Sequence, residues 1–272
     1  MFIWLPPSEG KTEPQSGAPL VPSAFSLPAL SPARAIAADA LIATCRRDDA
    51  AQILGLGAKS AGDVAVNARL ASSPCAPAAR VFSGVLYDAA GLSALKGEAA
   101  AWAHEHVHIF SGLFGVMSPA DPIPNHRLGM NVDLPGIGRM SAFWRPHLDE
   151  ALREVVGSAP VLDMRSGPYQ AACPAPWATL IKINAVKETA GRRTTVSHDA
   201  KKWRGLLTAE LLRGRAGSFD HSGVLRAVES CCERIRFTDA SGVEHRVIGM
   251  ETSDPRAKKG GGLEQAVTLV TT

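Results

Sequence analysis

The chain has no uninterrupted apolar run near the ~20 residues that a bilayer-spanning helix needs. Its opening Met-Phe-Ile-Trp-Leu-Pro-Pro lacks the basic flank and length of a signal peptide. The expectation is therefore a soluble, cytoplasmic protein with no membrane partner. Cysteine is scarce: Cys45, Cys75, Cys173, Cys231 and Cys232 are odd in number and show no Cys-x-x-Cys spacing. Neither a disulfide framework nor a zinc site is suggested, and the thiols are expected to be reduced. An excess of one charge is missing too. The formal charge of +3 comes from 29 basic and 26 acidic residues, too balanced to argue for nucleic acid by itself.

At 272 residues with 46% hydrophobic content, the chain can bury a large core. Helical and strand-like segments mix without strict βαβ alternation. That predicts an α+β fold, a single compact mixed α/β domain over residues 1–272 with a mixed sheet flanked by helices. Residues 1–32 read as a strand plus a proline-rich loop. Residues 33–53, 65–71, 95–105, 140–156, 198–212 and 223–232 read as helices, residues 107–110, 161–164 and 178–186 as strands, and residues 81–87 as a short strand or tight turn around Gly84. Residues 234–250 read as a hairpin, and residues 252–272 as a poorly ordered or edge C-terminal tail.

The densest chemistry follows the first strand. Pro6 and Pro7 stop the ladder after Leu5, and Ser8, Glu9, Gly10, Lys11 and Thr12 then offer hydroxyls, a carboxylate and an ammonium around one glycine. Gly10-Lys11-Thr12 matches the end of a phosphate-binding loop, but Leu5 stands where that motif's first glycine belongs. Pro14, Pro19, Pro22, Pro28 and Pro32 also break the helix an NTPase would need next. What remains is an anion cradle of another kind. Ser111 to Gly115 and the group Asp163, Arg165, Ser166 and Tyr169 likewise follow buried strands, so the three loops can meet at one composite site. Arg192, Arg193, Lys201, Lys202, Arg204, Arg213 and Arg215 add a locally basic segment.

Two motifs compete with simpler readings. Leu134-Pro135-Gly136-Ile137-Gly138 matches the hairpin of helix-hairpin-helix modules, whose glycines let backbone amides approach a DNA phosphate. The preceding residues 124–132 read as extended rather than helical. His104-Glu105-His106-Val107-His108 would align three imidazoles on a strand, but the alanine-rich residues before it favour a helix ending near His104. No metal or other cofactor is assigned.

Four blocks occur in order: Pro6-Pro7-Ser8-Glu9-Gly10-Lys11-Thr12, Phe82-Ser83-Gly84-Val85-Leu86-Tyr87, Ser111-Gly112-Leu113-Phe114-Gly115-Val116 with Pro119 and Asp121, and Ala200-Lys201-Lys202-Trp203-Arg204-Gly205. With them the chain resembles the YaaA family of peroxide-stress proteins over nearly its whole length. The resemblance implies a cytoplasmic, compact mixed α/β protein that limits iron-driven DNA damage and binds DNA through a basic cleft with a helix-hairpin-helix-like element. Carried over by residue, it points to Ser8, Glu9, Lys11, Thr12, Ser111, Gly112, Arg127, Lys201 and Arg204.

Two functions then compete for the cleft. In one, double-stranded DNA lies on Lys11, Arg127, Lys201, Lys202 and Arg204, with Gly136 and Gly138 offering amides to its backbone. In the other, an enzyme handles a nucleotide, nucleobase or other phosphorylated small molecule. Glu9 or Asp163 then serves as general acid or base, Lys11 as charge stabiliser or Schiff-base nucleophile, and Ser8 and Ser111 as orienting hydroxyls. A third reading makes Glu9, Lys11, Asp163 and Arg165 a structural ion-pair network.

Overall fold

The computed structural model describes residues 1–189, 191–195, 199–214 and 219–272. Ten strands form the main sheet. They are β1 (Phe2–Leu5), β2 (Val107–Ser111), β3 (Gly115–Met117), β4 (Val161–Asp163), β5 (Leu180–Thr189), β6 (Arg192–Thr195), β7 (Arg236–Thr238), β8 (Glu244–Thr252), β9 (Arg256–Ala257) and β10 (Leu263–Thr271). The strand order is β7-β8-β10-β5-β4-β1-β2-β3, with β6 beside β5 and β9 beside β10. Strands β10, β5, β4, β1 and β2 run parallel, while β3, β6, β7, β8 and β9 pair antiparallel. The fold is thus a mixed α/β domain, as its sequence predicts.

β1 lies between two parallel neighbours, in register Ile3↔Val107 and Ile3↔Leu162. Both of its faces are covered, which is why Phe-Ile-Trp-Leu is continuously apolar rather than alternating. The chain leaves β1, forms β2 on one side and later returns as β4 on the other. Strand order therefore reverses at β1. A crevice opens outside the carboxyl ends of strands at such a reversal, where the two connections diverge.

The described residues form ten α-helices, among them α1 (Ser31–Thr44), α2 (Val85–Ala90), α3 (Gly97–His106), α4 (Met140–Val156), α5 (Gly167–Ala172), α6 (Asp199–Gly214) and α7 (His221–Cys232). α1 starts where Pro32 can occupy the first turn without losing a bond, and buries Ala33, Arg34, Ala37, Ala38 and Leu41 at helical spacing. It stops at Thr44 instead of running to Ile53. Arg47 there closes a two-point bond on Asp49 at 2.8 and 2.9 Å, and a four-residue helix, Ala50–Ile53, follows. α6 lies tightly on α2 because a Cβ at Gly205 would meet Leu86 O at 2.3 Å.

Other expectations change in this structure. Of the two readings of residues 81–87 the turn holds: a helix, Ala78–Val81, turns at Gly84 (φ 98°) into α2, with Phe82 making a single bridge to Lys11 in place of a strand. Residues 263–271 are no tail but β10, an interior strand between β8 and β5 with Val267 and Leu269 fully buried. Its Glu264, Gln265 and Thr268 dilute the apolar pattern, and the preceding Gly260-Gly261-Gly262 imitates a flexible end. Gly262 is instead a packing glycine, since a Cβ would lie 2.3 Å from Ala178 O. Leu134-Pro135-Gly136-Ile137-Gly138 turns a minimal hairpin, Asp133–Leu134 with Gly138–Arg139, directly before α4. No helix is assigned to residues 124–132, so the helix-hairpin-helix arrangement does not form. His104 lies in the last turn of α3. His198 and Arg215 lie outside the described residues.

Candidate functional site

The loops after β1, β2 and β4 line a crevice of about 380 Å³, whose walls also include α2, α6 and residues 126–129. Its walls hold Ser8, Glu9, Gly10 and Lys11 from the first loop, Ser111 and Gly112 from the second, and Ser166 and Tyr169 from the third. Arg127, Lys201 and Arg204 complete the polar lining. Eleven of the residues singled out in the sequence thus come together, from five separate stretches of chain.

The first loop is stitched in place through its backbone. Thr12 N donates to Val81 O at 2.8 Å and Ser83 N to Gly10 O at 3.1 Å, while Lys11 bridges Phe82. Lys11 Nζ donates to Ser8 O at 3.1 Å and lies 5.5 Å from the centre of the Phe82 ring. Burial, reinforced by the neighbouring Arg127 charge, pulls the Lys11 ammonium down to about 8. The unfolded chain therefore holds a proton on Lys11 that the native chain releases between about pH 8 and the ordinary lysine range. Stability rises with pH wherever the unfolded state binds more protons. The penalty of the buried charge is fully present below about pH 8 and is relieved above it, with an upper bound of ~3 kcal/mol. Urea unfolding at about pH 7 and about pH 10 should show this gain in the native protein and lose it in Lys11→Met.

Arg127 and Glu9 face each other across the mouth, with Nη2 to Oε2 at 3.0 Å. The Glu9 side chain is 84% exposed, so this pair contributes little to stability. Arg127 is held from behind by Asn67, which is fully buried. Asn67 Oδ1 accepts from Arg127 N and Asn67 Nδ2 donates to Arg127 O, both at 2.8 Å. Arg204 donates through Nε and Nη2 to Ile183 O at 3.2 and 2.9 Å, which fixes the guanidinium against the end of the sheet. Ser111 Oγ accepts from Leu113 N and Phe114 N, both at 3.2 Å, and its own proton is left to give. Gly112 is required by packing: a Cβ would meet Leu128 O at 2.4 Å.

The crevice also has an apolar lining, with Pro6, Pro7, Val85, Leu86 and Leu128. The chain has only two tyrosines, and both are here. Tyr87 Oη donates to Pro6 O at 2.7 Å, and burial raises its hydroxyl far above the ordinary range. Burial also pushes Tyr169 up to about 12. His126 Nδ1 lies 2.9 Å from Pro124 O; a carbonyl only accepts, so the proton sits on Nδ1. Burial and the Lys11 charge lower this imidazole to about 3, and it is neutral at neutral pH. Tyr87, His126 and Asn67 escape the sequence reading. The rarity of tyrosine was the one available signal.

Several predicted residues lie elsewhere. Asp163 and Arg165 do not line the crevice but form a fully buried pair beneath it. Arg165 Nε and Nη2 donate to the two Asp163 oxygens at 2.8 and 2.9 Å, and Nη1 donates to Tyr169 O and Cys173 O. The guanidinium carbon lies 4.4 Å from the ring centres of both Trp4 and Phe110, which themselves pack 5.3 Å apart. With its oxygens so engaged, Asp163 has no face for substrate, and the structural reading holds for this pair. Thr12 is exposed outside the crevice. Lys202 sits 3.8 Å over the Phe237 ring, and Gly136 and Gly138 belong to the hairpin before α4. None of these three is a wall. Among the described residues no group of three or more His, Cys, Asp or Glu side chains is placed to hold a metal ion, and no helix is long and apolar enough to cross a membrane.

Sheet and crevice together define a mixed α/β protein with a strand-end pocket whose polar half carries four cationic side chains and one carboxylate. Its sequence matches the family described as Peroxide stress protein YaaA over residues 1–226, and the chain belongs to that family. It is similar to a UPF0246 protein of Streptomyces coelicolor, 38% identical over 219 residues that cover 78% of this chain and 83% of the relative. It is also similar to a UPF0246 protein of Corynebacterium glutamicum, 38% identical over 216 residues covering 78% and 84%. One from Corynebacterium efficiens is 36% identical over 216 residues, with the same coverage.

Proposed function

We propose that this protein acts in peroxide resistance, the role its family's description gives, by taking up a small phosphorylated molecule of the nucleotide class in the strand-end crevice. The observation that carries this reading is the size of the crevice. A pocket of about 380 Å³ falls within the ~300–1,000 Å³ of small-ligand sites. A duplex would instead need an open groove. Arg127, Lys201 and Arg204 supply the phosphate contacts, and the Pro6, Pro7, Leu128 and Tyr169 side supplies a surface for a planar base or sugar. Double-stranded DNA is the competing occupant, but Lys202, Gly136 and Gly138, which that reading uses, do not line the crevice.

Glu9 separates binding from chemistry. A carboxylate at the mouth opposes an incoming phosphate, so Glu9→Gln is expected to raise affinity for nucleoside 5′-monophosphates roughly two- to five-fold, the scale of an exposed charge interaction. If Glu9 is the general acid or base of a reaction, the same variant binds but turns nothing over. Isothermal titration of both proteins reads the first effect. Unchanged silence of the wild type towards all phosphorylated ligands would remove the proposal.

A further inference from the structure

Lys11 is placed differently from the other crevice cations. Among the described residues it makes no ion pair with a carboxylate, because Glu9 is turned to Arg127. One hydrogen goes to the Ser8 carbonyl, and the Phe82 ring covers part of the side chain. The backbone on both sides is pinned to residues 81–83, so the amine cannot swing out with its loop. Arg204 is anchored on Ile183 O and Lys201 is exposed, so the phosphate contacts are available without Lys11. The Asp63 and Glu9 carboxylates act on Lys11 only from a distance, and burial with the Arg127 charge outweighs them. A desolvated amine beside a permanent cation and bonded to no carboxylate is the setting that makes a lysine nucleophilic near neutral pH. The direction in which burial moves this ammonium agrees with that geometry.

We propose that Lys11 is a nucleophile that forms an imine with a phosphorylated aldehyde or ketone, such as a sugar phosphate, whose phosphate is held by Arg127, Lys201 and Arg204. The inference rests on reading the crevice as a site for phosphorylated ligands. The Lys11 nitrogen adds to the carbonyl carbon while the carbonyl π pair moves to oxygen. That oxygen then leaves as water, with the two hydrogens lost from nitrogen, as the C=N bond closes. No oxidant or reductant is consumed. With one hydrogen already given to Ser8 O, the neutral amine keeps its lone pair for this attack.

The test uses 2-deoxyribose 5-phosphate with sodium borohydride, which reduces an imine to a stable secondary amine, followed by peptide mass mapping of the full chain. The expected result is an adduct on the peptide carrying Lys11 in preference to surface lysines such as Lys59 and Lys96. It should be suppressed by excess inorganic phosphate and be absent with unphosphorylated 2-deoxyribose or in Lys11→Arg. Adducts spread evenly over surface lysines overturn the proposal, and the mapping on wild type decides this even if the variant does not fold. Thermal stabilisation by 2-deoxyribose 5-phosphate without an adduct at Lys11 also overturns it while leaving the crevice reading standing. Neither stabilisation nor adduct defeats both.

Discussion

Replacing Asp163 by Asn is expected to lower the unfolding free energy by about 3–5 kcal/mol, the cost of leaving one member of a buried ion pair uncompensated. The Arg165 guanidinium would remain against the Trp4 and Phe110 rings with only half of its charge-assisted partners. It cannot escape to water, because both side chains of the pair are fully buried. The loss reaches the crevice through position rather than contact. Arg165 Nη1 holds Tyr169 O, and Gln170 Nε2 donates to Arg165 O, so the start of α5 hangs on this guanidinium. Urea unfolding measures the effect. Replacing both partners with apolar residues, Asp163→Leu with Arg165→Met, should recover most of the stability, since a buried pair and a packed apolar core are often near parity. A loss below ~1 kcal/mol for Asp163→Asn would contradict this strut.

Arg127→Met is expected to weaken binding of a phosphorylated ligand by about 10- to 100-fold, as loss of one charge-assisted hydrogen bond of ~1.5–3 kcal/mol implies. The fold should hardly notice. Asn67 grips the Arg127 main chain, which survives the substitution, and the lost pair with Glu9 is exposed. Removing the guanidinium also leaves the Glu9 carboxylate uncompensated at the mouth. Glu9→Gln in the same protein should therefore restore part of the affinity, giving a double variant between wild type and Arg127→Met. Titration calorimetry on the four proteins checks both the fall and the partial rescue, and strictly additive effects would place Glu9 and Arg127 in separate environments.

Strand ends are the part of this site that the sequence made legible. Ser8 to Lys11, Ser111 with Gly112, and Ser166 with Tyr169 each follow a buried apolar run, and parallel pairing of β2, β1 and β4 brings them together. Composition cannot tell which way a polar side chain at such an end points. Asp163 and Arg165, two residues apart, share one side of the chain and turn into the core to meet each other. Asn67 and His126 were invisible for a related reason, since their roles are bonds to main-chain atoms, Asn67 to residue 127 far along the chain. The glycines mislead in their own way. Gly136 turns a minimal hairpin outside the crevice, whereas Gly112 and Gly205 carry the close approaches that shape the crevice and its α2–α6 wall.

The account stands on the crevice being a small-ligand site, and calorimetric titration with a nucleoside 5′-monophosphate set against duplex DNA tests it most directly. The predicted result is saturable one-to-one binding of the mononucleotide, displaced by inorganic phosphate and weakened about 10- to 100-fold in Arg127→Met. The contradicting result is a silent mononucleotide titration beside duplex binding that Arg127→Met leaves intact and whose logarithm falls with the logarithm of salt by roughly 0.9 per phosphate neutralised.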